Sequence, residues 1–422
     1  MSRFSPQAQT PRYLQRFACI GGSCPQSCCD GGWSVTLDRQ TWNRYKSIPL
    51  HPVNQHLEPL ADKGSKDEIA GKLVMRPDGR CPMHNDQGLC DIQNSMGEQA
   101  LSATCRNFPR LFHSIAGQVH VSATLSCPEA ARLALDSADA MTLDLCSLQQ
   151  FETPLDMPRP HELEIGSGIL REVHSVCAIA LRDRLLWITD MAPTSLQAMQ
   201  LWALLVRQVA QWQCNWKAYN QAHPEEHMEQ SMQIYTGQLA DLLESWNEAT
   251  IQHHLDSIAS LNAAENRSVQ LAIMQASINL IQKYLPASSE IQLLLGSVQN
   301  WSAVFQSGAE RVHELEKKSP WALKNLIRND LWRNMWYTHV LSAEDLESNF
   351  LSLALKYTLT RMLLCASALQ KNNSPVLSDV VRITYLLSRH IEHNTALHAD
   401  WIRNLKNNQL NSSAAALIIL GD

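Results

Sequence analysis

Hydrophobic residues in the second part of the chain recur at intervals of three and four. This spacing places them on one face of a helix, and it is clearest after Val269, at Leu271, Met274, Ile278, Ile281 and Leu285. Ten of the twelve tryptophans lie in the same region, where helical spacing indicates core positions. Comparable patterns predict helices over residues 196–216, 229–248, 320–340 and 349–370. We therefore expect an α-helical domain over residues 151–422.

The first 150 residues follow a different pattern. Apolar stretches are short, as in Trp33–Leu37, which predicts a strand, and turn signals recur at Pro77-Asp78-Gly79 and Asp86-Gln87-Gly88. Three prolines between residues 153 and 160 indicate a linker. The fold class that we predict is mainly α: an irregular, cysteine-rich N-terminal domain (1–150) with a few short strands, followed by the helical domain.

Composition and charge exclude several classes of protein. The chain has 422 residues and a formal net charge of −6, all of it after residue 150, because residues 1–150 hold 14 Lys and Arg against 14 Asp and Glu. No basic stripe is present, so we do not expect a nucleic-acid partner. The polar segment Met1–Thr10 has no signal-peptide core, and no run of about 18 apolar residues exists. We expect a cytoplasmic protein that does not associate with membranes.

Cysteines carry the main chemical signal. Eight of the twelve lie in the Gly- and Pro-rich first part of the chain, at Cys19, Cys24, Cys28, Cys29, Cys81, Cys90, Cys105 and Cys127. Cytoplasmic thiols stay reduced, so this clustering indicates metal ligands rather than disulfides. Four thiolates can bind one zinc ion or one [4Fe–4S] cluster. The other four cysteines are scattered, and we expect them to be buried as small hydrophobic residues.

The spacing of the cysteines does not identify the metal. The Cys-x2-Cys pairs of zinc fingers are absent, which favours an iron–sulfur cluster modestly over zinc. Cys24-x3-Cys28 fits the first part of the Cys-x3-Cys-x2-Cys pattern of radical S-adenosylmethionine enzymes. Gly31 stands where the third cysteine of that pattern is needed. We predict that the N-terminal domain binds metal through all eight cysteines.

A family resemblance rests on these residues. The order Cys-x4-Cys-x3-Cys-Cys-x3-Trp from Cys19, followed by Cys81-Pro82, Leu89-Cys90, the segment 101–110 (LSATCRNFPR) and Ser126-Cys127-Pro128-Glu129, resembles the flagellin lysine-N-methylases of enteric bacteria. It is also similar to regions described as zinc- or iron-chelating domains. The resemblance implies transfer of methyl groups from S-adenosylmethionine to lysine side chains of flagellin, with an iron–sulfur cluster of the [4Fe–4S] type. The alternative is a non-enzymatic metal-binding or redox module.

Methyl transfer to lysine sets requirements of its own. A lysine amine has a reference pKa of about 10.4 and must lose a proton before it attacks a methyl group, so a desolvated slot with a carboxylate or tyrosine base is needed. No sequence motif identifies that slot. Gly166-Ser167-Gly168 lacks the third glycine of a nucleotide-binding loop and indicates a turn. We expect His84 and His253-His254 to be structural or solvated, and the helix Asn325–Trp332 to expose its asparagines.

Overall fold

The structure is a computed structural model that describes residues 7–31, 33–48, 51–60, 69–115, 117–151, 161–162, 169–222, 228–260, 263–285, 289–298, 300–392, 394–408 and 413–421. The chain folds into two compact units. One contains residues 1–133 and 142–162, and the other contains residues 134–141 and 163–422. Among the described residues, none of the helices combines the length and the apolar character needed to cross a membrane.

In its described residues, the first unit holds two sheets and five short α-helices, besides short 3-10 turns. Its strands are β1 (Gln7–Pro11), β2 (Val35–Asp38), β3 (Leu57–Pro59), β4 (Ile69–Leu73), β5 (Arg110–Ile115), β6 (Gln118–Ala123), β7 (Leu143–Ser147) and β8 (His161–Glu162). Its helices are α1 (Arg12–Gln15), α2 (Arg39–Ser47), α3 (Asp91–Met96), α4 (Ala103–Asn107) and α5 (Pro128–Leu135), the last of which runs into the second unit.

The smaller sheet builds the core beside the cysteines. Its strands lie in the antiparallel order β2-β4-β3, and α2 packs on it through the buried Trp42 and Tyr45. Gly71 in β4 allows this packing, because a Cβ atom there would lie 2.2 Å from the Trp42 ring. The same hydrophobic core contains Cys81, and Cys29 and Cys90 pack against it. Three candidate ligands therefore lie in this core or against it.

The larger sheet has the strand order β7-β1-β6-β5-β8. A hairpin joins β5 to β6, with Phe112 opposite Val121, and β1 runs parallel to β6. Alternate β6 residues Val119, Val121 and Ala123 are fully buried. The strand leads through a short turn to Cys127 and then to α5, so this candidate ligand stands at the end of a buried strand.

The second unit is helical. Its helices are α6 (Ile169–Met191), α7 (Ser195–Ala222), α8 (Met228–Ser245), α9 (Glu248–Ser260), α10 (Ala263–Tyr284), α11 (Glu290–Gly296), α12 (Trp301–Lys318), α13 (Trp321–Asn334), α14 (Ala343–Lys371), α15 (Leu377–Ile391), α16 (Thr395–Asn407) and α17 (Ser413–Ile419). Helix α14 is central and contacts α7, α12, α15 and α17. It is buried on all sides from Leu353 to Ala368, as expected for a helix without a polar face.

These elements confirm the predicted fold class, a mainly α protein with short strands near the N-terminus. The periodic segment after Val269 lies in α10, and four tryptophans of the helical unit, Trp202, Trp246, Trp332 and Trp336, are fully buried. The helix predicted over 320–340 ends early, at Asn334, because Met335 adopts a left-handed backbone with φ of 48°. The proline-rich segment predicted as a linker (153–160) lies outside the described residues.

The expectation for the asparagines of α13 was wrong. Asn325 is fully buried, and its side-chain amide donates to the carbonyl oxygens of Ala134 and Ser137 at 3.0 and 2.9 Å. Asn329 is buried as well. Buried amides need hydrogen-bond partners, and here those partners hold the segment 134–141 within the helical unit.

A buried ion cluster stabilises the helical unit. Lys356 of α14 lies 3.2 Å from Asp330 and also contacts Glu392, while Arg333 lies 3.4 Å from Glu392. Both carboxylates are only 5% exposed. Although burial by itself lowers the pKa of Lys356, Glu392 and Asp330 raise it above its ordinary value. The lysine therefore stays charged and balances the two carboxylates.

Replacing Lys356 by methionine should lower the free energy of unfolding by about 3–5 kcal/mol, because it removes the lysine that pairs with the buried Asp330 and leaves Glu392 with Arg333. Urea denaturation followed by circular dichroism measures the change. Lys406→Met is the matched control, since Lys406 pairs with Glu344 at the exposed surface and should change little. Equal unfolding midpoints for the two variants would contradict this account of the cluster.

Candidate functional site

Five of the eight predicted ligands come together in the first unit. We call Cys28, Cys29, Cys81, Cys90 and Cys105 the five-thiol group. The Cys29 thiol hydrogen-bonds with those of Cys28 and Cys81, and the charges of Cys28 and Cys81 act on Cys90 and Cys105. The five thiols therefore lie close enough to influence one another's charge, although Cys28 and Cys105 are 77 positions apart in sequence.

Local backbone structure positions these thiols. Cys28 and Cys29 lie in a 3-10 turn that Ser27 caps by accepting a hydrogen bond from the Cys29 N–H. The Cys81 N–H donates to the Cys29 carbonyl at 2.8 Å, which joins the second loop to the first. Cys105 lies in α4, where its N–H donates to the capping side chain of Ser102. Short capped turns therefore hold the sulfur atoms in place.

The thiols strongly influence one another's protonation. Hydrogen bonds with Cys28 and then Cys81, followed by burial, raise the pKa of Cys29 far above its ordinary value, so this thiol acts as the donor. The hydrogen bond from Cys29 lowers the pKa of Cys81 to about 7, although burial opposes the change. Burial raises the pKa of Cys90. The thiol of Cys81 can therefore ionise near neutral pH.

Cys105 completes the five-thiol group. Desolvation by surrounding protein, and then the charges of Cys28, Cys81 and Cys90, raise its pKa to about 12, although the residue keeps an exposed surface. Burial raises the pKa of the neighbouring Tyr45, and charges on Cys105 and Cys90 raise it further. Several thiolates cannot coexist here unless a cation balances them. A bound metal ion is the cation that such a group would take.

The remaining three predicted ligands form a separate set, which we call the three-thiol group: Cys19, Cys24 and Cys127. Burial raises the pKa of Cys127 to about 12, and the charges of Cys24 and Cys19 add to the effect. Arg110 is close enough for charges at Cys127 and Cys19 to act on it, although burial lowers its pKa overall. Arg110 therefore lies near Cys127 and Cys19.

Both groups have the donor chemistry of a thiolate-bound centre. The five-thiol group exceeds the four ligands that a zinc ion or a [4Fe–4S] cluster takes. In the described part of the chain, no three His, Cys, Asp or Glu side chains are already placed as ligands around a common point. Binding would therefore draw the sulfur atoms inward, and the eight cysteine ligands stay a prediction.

The scattered cysteines follow expectation with one exception. Cys146, Cys177 and Cys365 are buried, but Cys214 is exposed on α7. The expectation that all four scattered cysteines are buried is therefore wrong for Cys214. His254 packs against Trp246 with ring centroids 4.9 Å apart, in agreement with a structural role. Gly166-Ser167-Gly168 lies outside the described residues.

The helical unit contains a large cavity that sequence reasoning did not find. It measures about 720 Å³, within the range of pockets that bind drug-sized molecules. Residues of α7, α9, α10, α12, α14 and α17 line it. Glu316 and Arg361 are the buried charged residues of its wall, and Glu310 and His313 are exposed.

Glu316 is the most unusual residue of this cavity. It is 7% exposed, and its Oε1 accepts hydrogen bonds from the Ser195 N–H, at 3.0 Å, and from the Ser195 hydroxyl. The Ser195 hydroxyl also lies 2.6 Å from that of Tyr357. Glu316 also lines the cavity, as does the buried Arg361. A buried carboxylate that Ser195 positions therefore stands in the cavity wall.

Tyr357 extends this network. Burial raises its pKa well above the ordinary value, while the charge of Arg361 and a hydrogen bond with it act in the opposite direction. Ser195, Glu316 and Tyr357 belong to α7, α12 and α14, and more than 100 residues separate Ser195 from Glu316. A motif search cannot detect such a site, because only tertiary packing brings the three residues together.

Comparison with known proteins places the chain in a family. Residues 203–419 match the model of the FliB lysine N-methylase C-terminal domain, which is slightly more than half of the chain and includes most of the cavity wall. The chain therefore belongs to the FliB lysine N-methylase family, as the cysteine pattern predicted. No solved structure matches the chain.

Individual relatives agree with this assignment. The chain is 25% identical over 412 residues to a lysine-N-methylase of Salmonella typhimurium, with 94% of each protein covered. It is 24% identical, over the same length and coverage, to a lysine-N-methylase of Salmonella choleraesuis. The flagellar biosynthetic protein FliU of Salmonella muenchen is 35% identical over 136 residues, which cover 32% of this chain and 79% of that protein.

Proposed function

We propose that the protein is a lysine N-methyltransferase that uses S-adenosylmethionine to methylate lysine side chains of flagellin. Membership of the FliB lysine N-methylase family supports the reaction, and the flagellar name of one relative supports the substrate. The donor is S-adenosylmethionine because its sulfonium methyl group is the one that an amine attacks directly. We propose further that the thiol groups bind an iron–sulfur cluster of the [4Fe–4S] type.

The single observation that carries the proposal is the buried carboxylate of Glu316 in the cavity wall of the helical unit. A lysine ammonium has a reference pKa of about 10.4, so it arrives charged at neutral pH. A buried carboxylate attracts that charge and can then take its proton. The volume of about 720 Å³ accommodates a lysine side chain together with the methyl donor.

The chemistry follows from these groups. The lysine ammonium gives one proton to the Glu316 carboxylate, and its nitrogen lone pair then attacks the sulfonium methyl carbon. The new C–N bond forms as the C–S bond breaks, which leaves S-adenosylhomocysteine neutral and the product a methylammonium. Glu316 releases its proton to water. Ser195 holds the carboxylate at Oε1 through its N–H and its hydroxyl, and that hydroxyl in turn lies 2.6 Å from the Tyr357 hydroxyl.

The cysteine-rich unit would act through its bound centre. Cys28, Cys29, Cys81, Cys90 and Cys105 are the residues that would hold a cluster, and Cys19, Cys24 and Cys127 could hold a second metal. A bound cluster supplies the cation that several thiolates need, and it ties loops that are distant in sequence. Binding energy then becomes folding energy for this unit.

The thiol groups also suit a second function, a metal-binding or redox module without enzymatic activity. A methyl-labelling experiment distinguishes the methyltransferase from the metal-binding module. Anaerobically reconstituted protein, incubated with flagellin and methyl-labelled S-adenosylmethionine, should place label on flagellin, and the metal-free protein should place less. Protein that carries an intact cluster but leaves flagellin unlabelled would support the module and contradict the methyltransferase.

A further inference from the structure

The loop between Cys81 and Cys90 brings a histidine beside the five-thiol group. Its ends form a small antiparallel bridge in which His84 pairs with Cys90. Directly opposed residues point to the same side of a ladder, with Cβ atoms about 4.5–5.5 Å apart. Asn85 holds the turn by accepting hydrogen bonds from the N–H groups of Gln87 and Leu89, both at 3.0 Å. The His84 ring therefore lies on the same side as the Cys90 thiol.

Asp30 orients the His84 ring from the other loop. Its Oδ1 lies 3.0 Å from His84 Nδ1, and Asp30 follows directly after Cys28 and Cys29. An ionised carboxylate only accepts hydrogen bonds, so Nδ1 carries the hydrogen. In the neutral ring, Nε2 then presents a lone pair.

Among the residues that the structure describes, His84 Nε2 has no hydrogen-bond partner. The atom is buried, and the side chain is only 10% exposed. Arg76 braces the backbone around it by donating to the carbonyl oxygens of Pro82 and His84. A buried nitrogen without a partner costs about 1–3 kcal/mol. A carboxylate that fixes the far nitrogen of a histidine is the usual arrangement around metal-binding histidines.

We propose that His84 Nε2 is a nitrogen ligand of the metal centre held by the five-thiol group, and that Asp30 positions the ring. The centre then has mixed sulfur and nitrogen ligands. This inference rests on the metal centre of the proposed function and not on methyl transfer. A purely structural role for the pair accounts for Nδ1 but leaves Nε2 buried with nothing to bind.

Cobalt binding tests the ligand directly, because Co²⁺ takes zinc-like thiolate sites and its d–d absorption bands report the ligand atoms. Metal-free, reduced full-length protein is titrated with Co²⁺ under anaerobic conditions. We expect His84→Ala to shift the d–d bands of the wild-type complex and to weaken Co²⁺ binding by at least about tenfold. Asp30→Asn should weaken it by about 10–100-fold. In the His84→Ala background, Asp30→Asn should cause no further loss.

His56→Ala is the matched control, since His56 belongs to the same unit and to neither thiol group. It should leave affinity and spectrum unchanged. Wild-type bands retained in His84→Ala, with only a lower melting temperature of the metal-free protein, would overturn the inference while leaving the centre in place. No thiolate charge-transfer band in the wild type would overturn both this inference and the proposed centre.

Discussion

Replacing Cys81 by serine should remove nearly all metal from the five-thiol group and leave the first unit poorly soluble. Cys81 has the lowest pKa resolved among these thiols, about 7, so it is the first to become a ligand. It also lies in the hydrophobic core beside Tyr45 and Met83. Structural metal sites contribute about 10–16 kcal/mol to the folding of small domains. Iron and sulfide analysis of anaerobically purified protein measures the loss.

Two further variants separate metal loss from simple core damage. Cys90→Ser changes a half-buried ligand and should also lower the metal content at least about tenfold. Cys214→Ser changes the exposed cysteine of α7 and should keep the wild-type metal content and solubility. If Cys81→Ser and Cys90→Ser bound as much metal as Cys214→Ser, the five-thiol group would not be the metal centre.

Replacing Glu316 by glutamine should lower the rate of methyl transfer by about 100-fold to 10,000-fold, the usual contribution of a general base. Glutamine can still accept the hydrogen bonds of Ser195 through its carbonyl oxygen. It cannot take a proton from the lysine ammonium. The effect should appear in kcat under saturating donor and flagellin, and circular dichroism should show an unchanged helical fold.

Glu314→Gln is the matched control for this variant. Glu314 lies two residues away on the same helix, but it is exposed and pairs with Lys317. Its replacement should leave kcat unchanged. Equal rates for Glu316→Gln and the wild type would show that the Glu316 carboxylate takes no part in the reaction. That result would leave the proposed metal centre untouched.

Most of the helical fold could be predicted because it depends on local periodicity. The apolar face after Val269 specifies α10 regardless of its neighbours. The end of α13 could not be predicted, since it depends on the left-handed conformation of a single residue, Met335. The buried asparagine of α13, Asn325, was missed because its partners are backbone carbonyls of another segment.

The site was predictable only where its chemistry is clustered in sequence. The eight cysteines were identified by residue type and spacing, but their division into groups of five and three required tertiary structure. His84 looked like an ordinary histidine, because its partner Asp30 lies 54 residues away. Glu316 carried no sequence signal, since its proposed role depends on burial and on Ser195 from a distant helix.

Peptide mapping of flagellin by mass spectrometry tests the central claim most directly. Flagellin is incubated with S-adenosylmethionine and with either the reconstituted wild-type protein or the Glu316→Gln variant. We predict methyl groups on lysine Nε atoms with the wild type and at most traces with the variant. Unmodified lysines after incubation with cluster-containing wild-type protein, or methylation confined to other residue types, would contradict the assignment of a lysine methyltransferase.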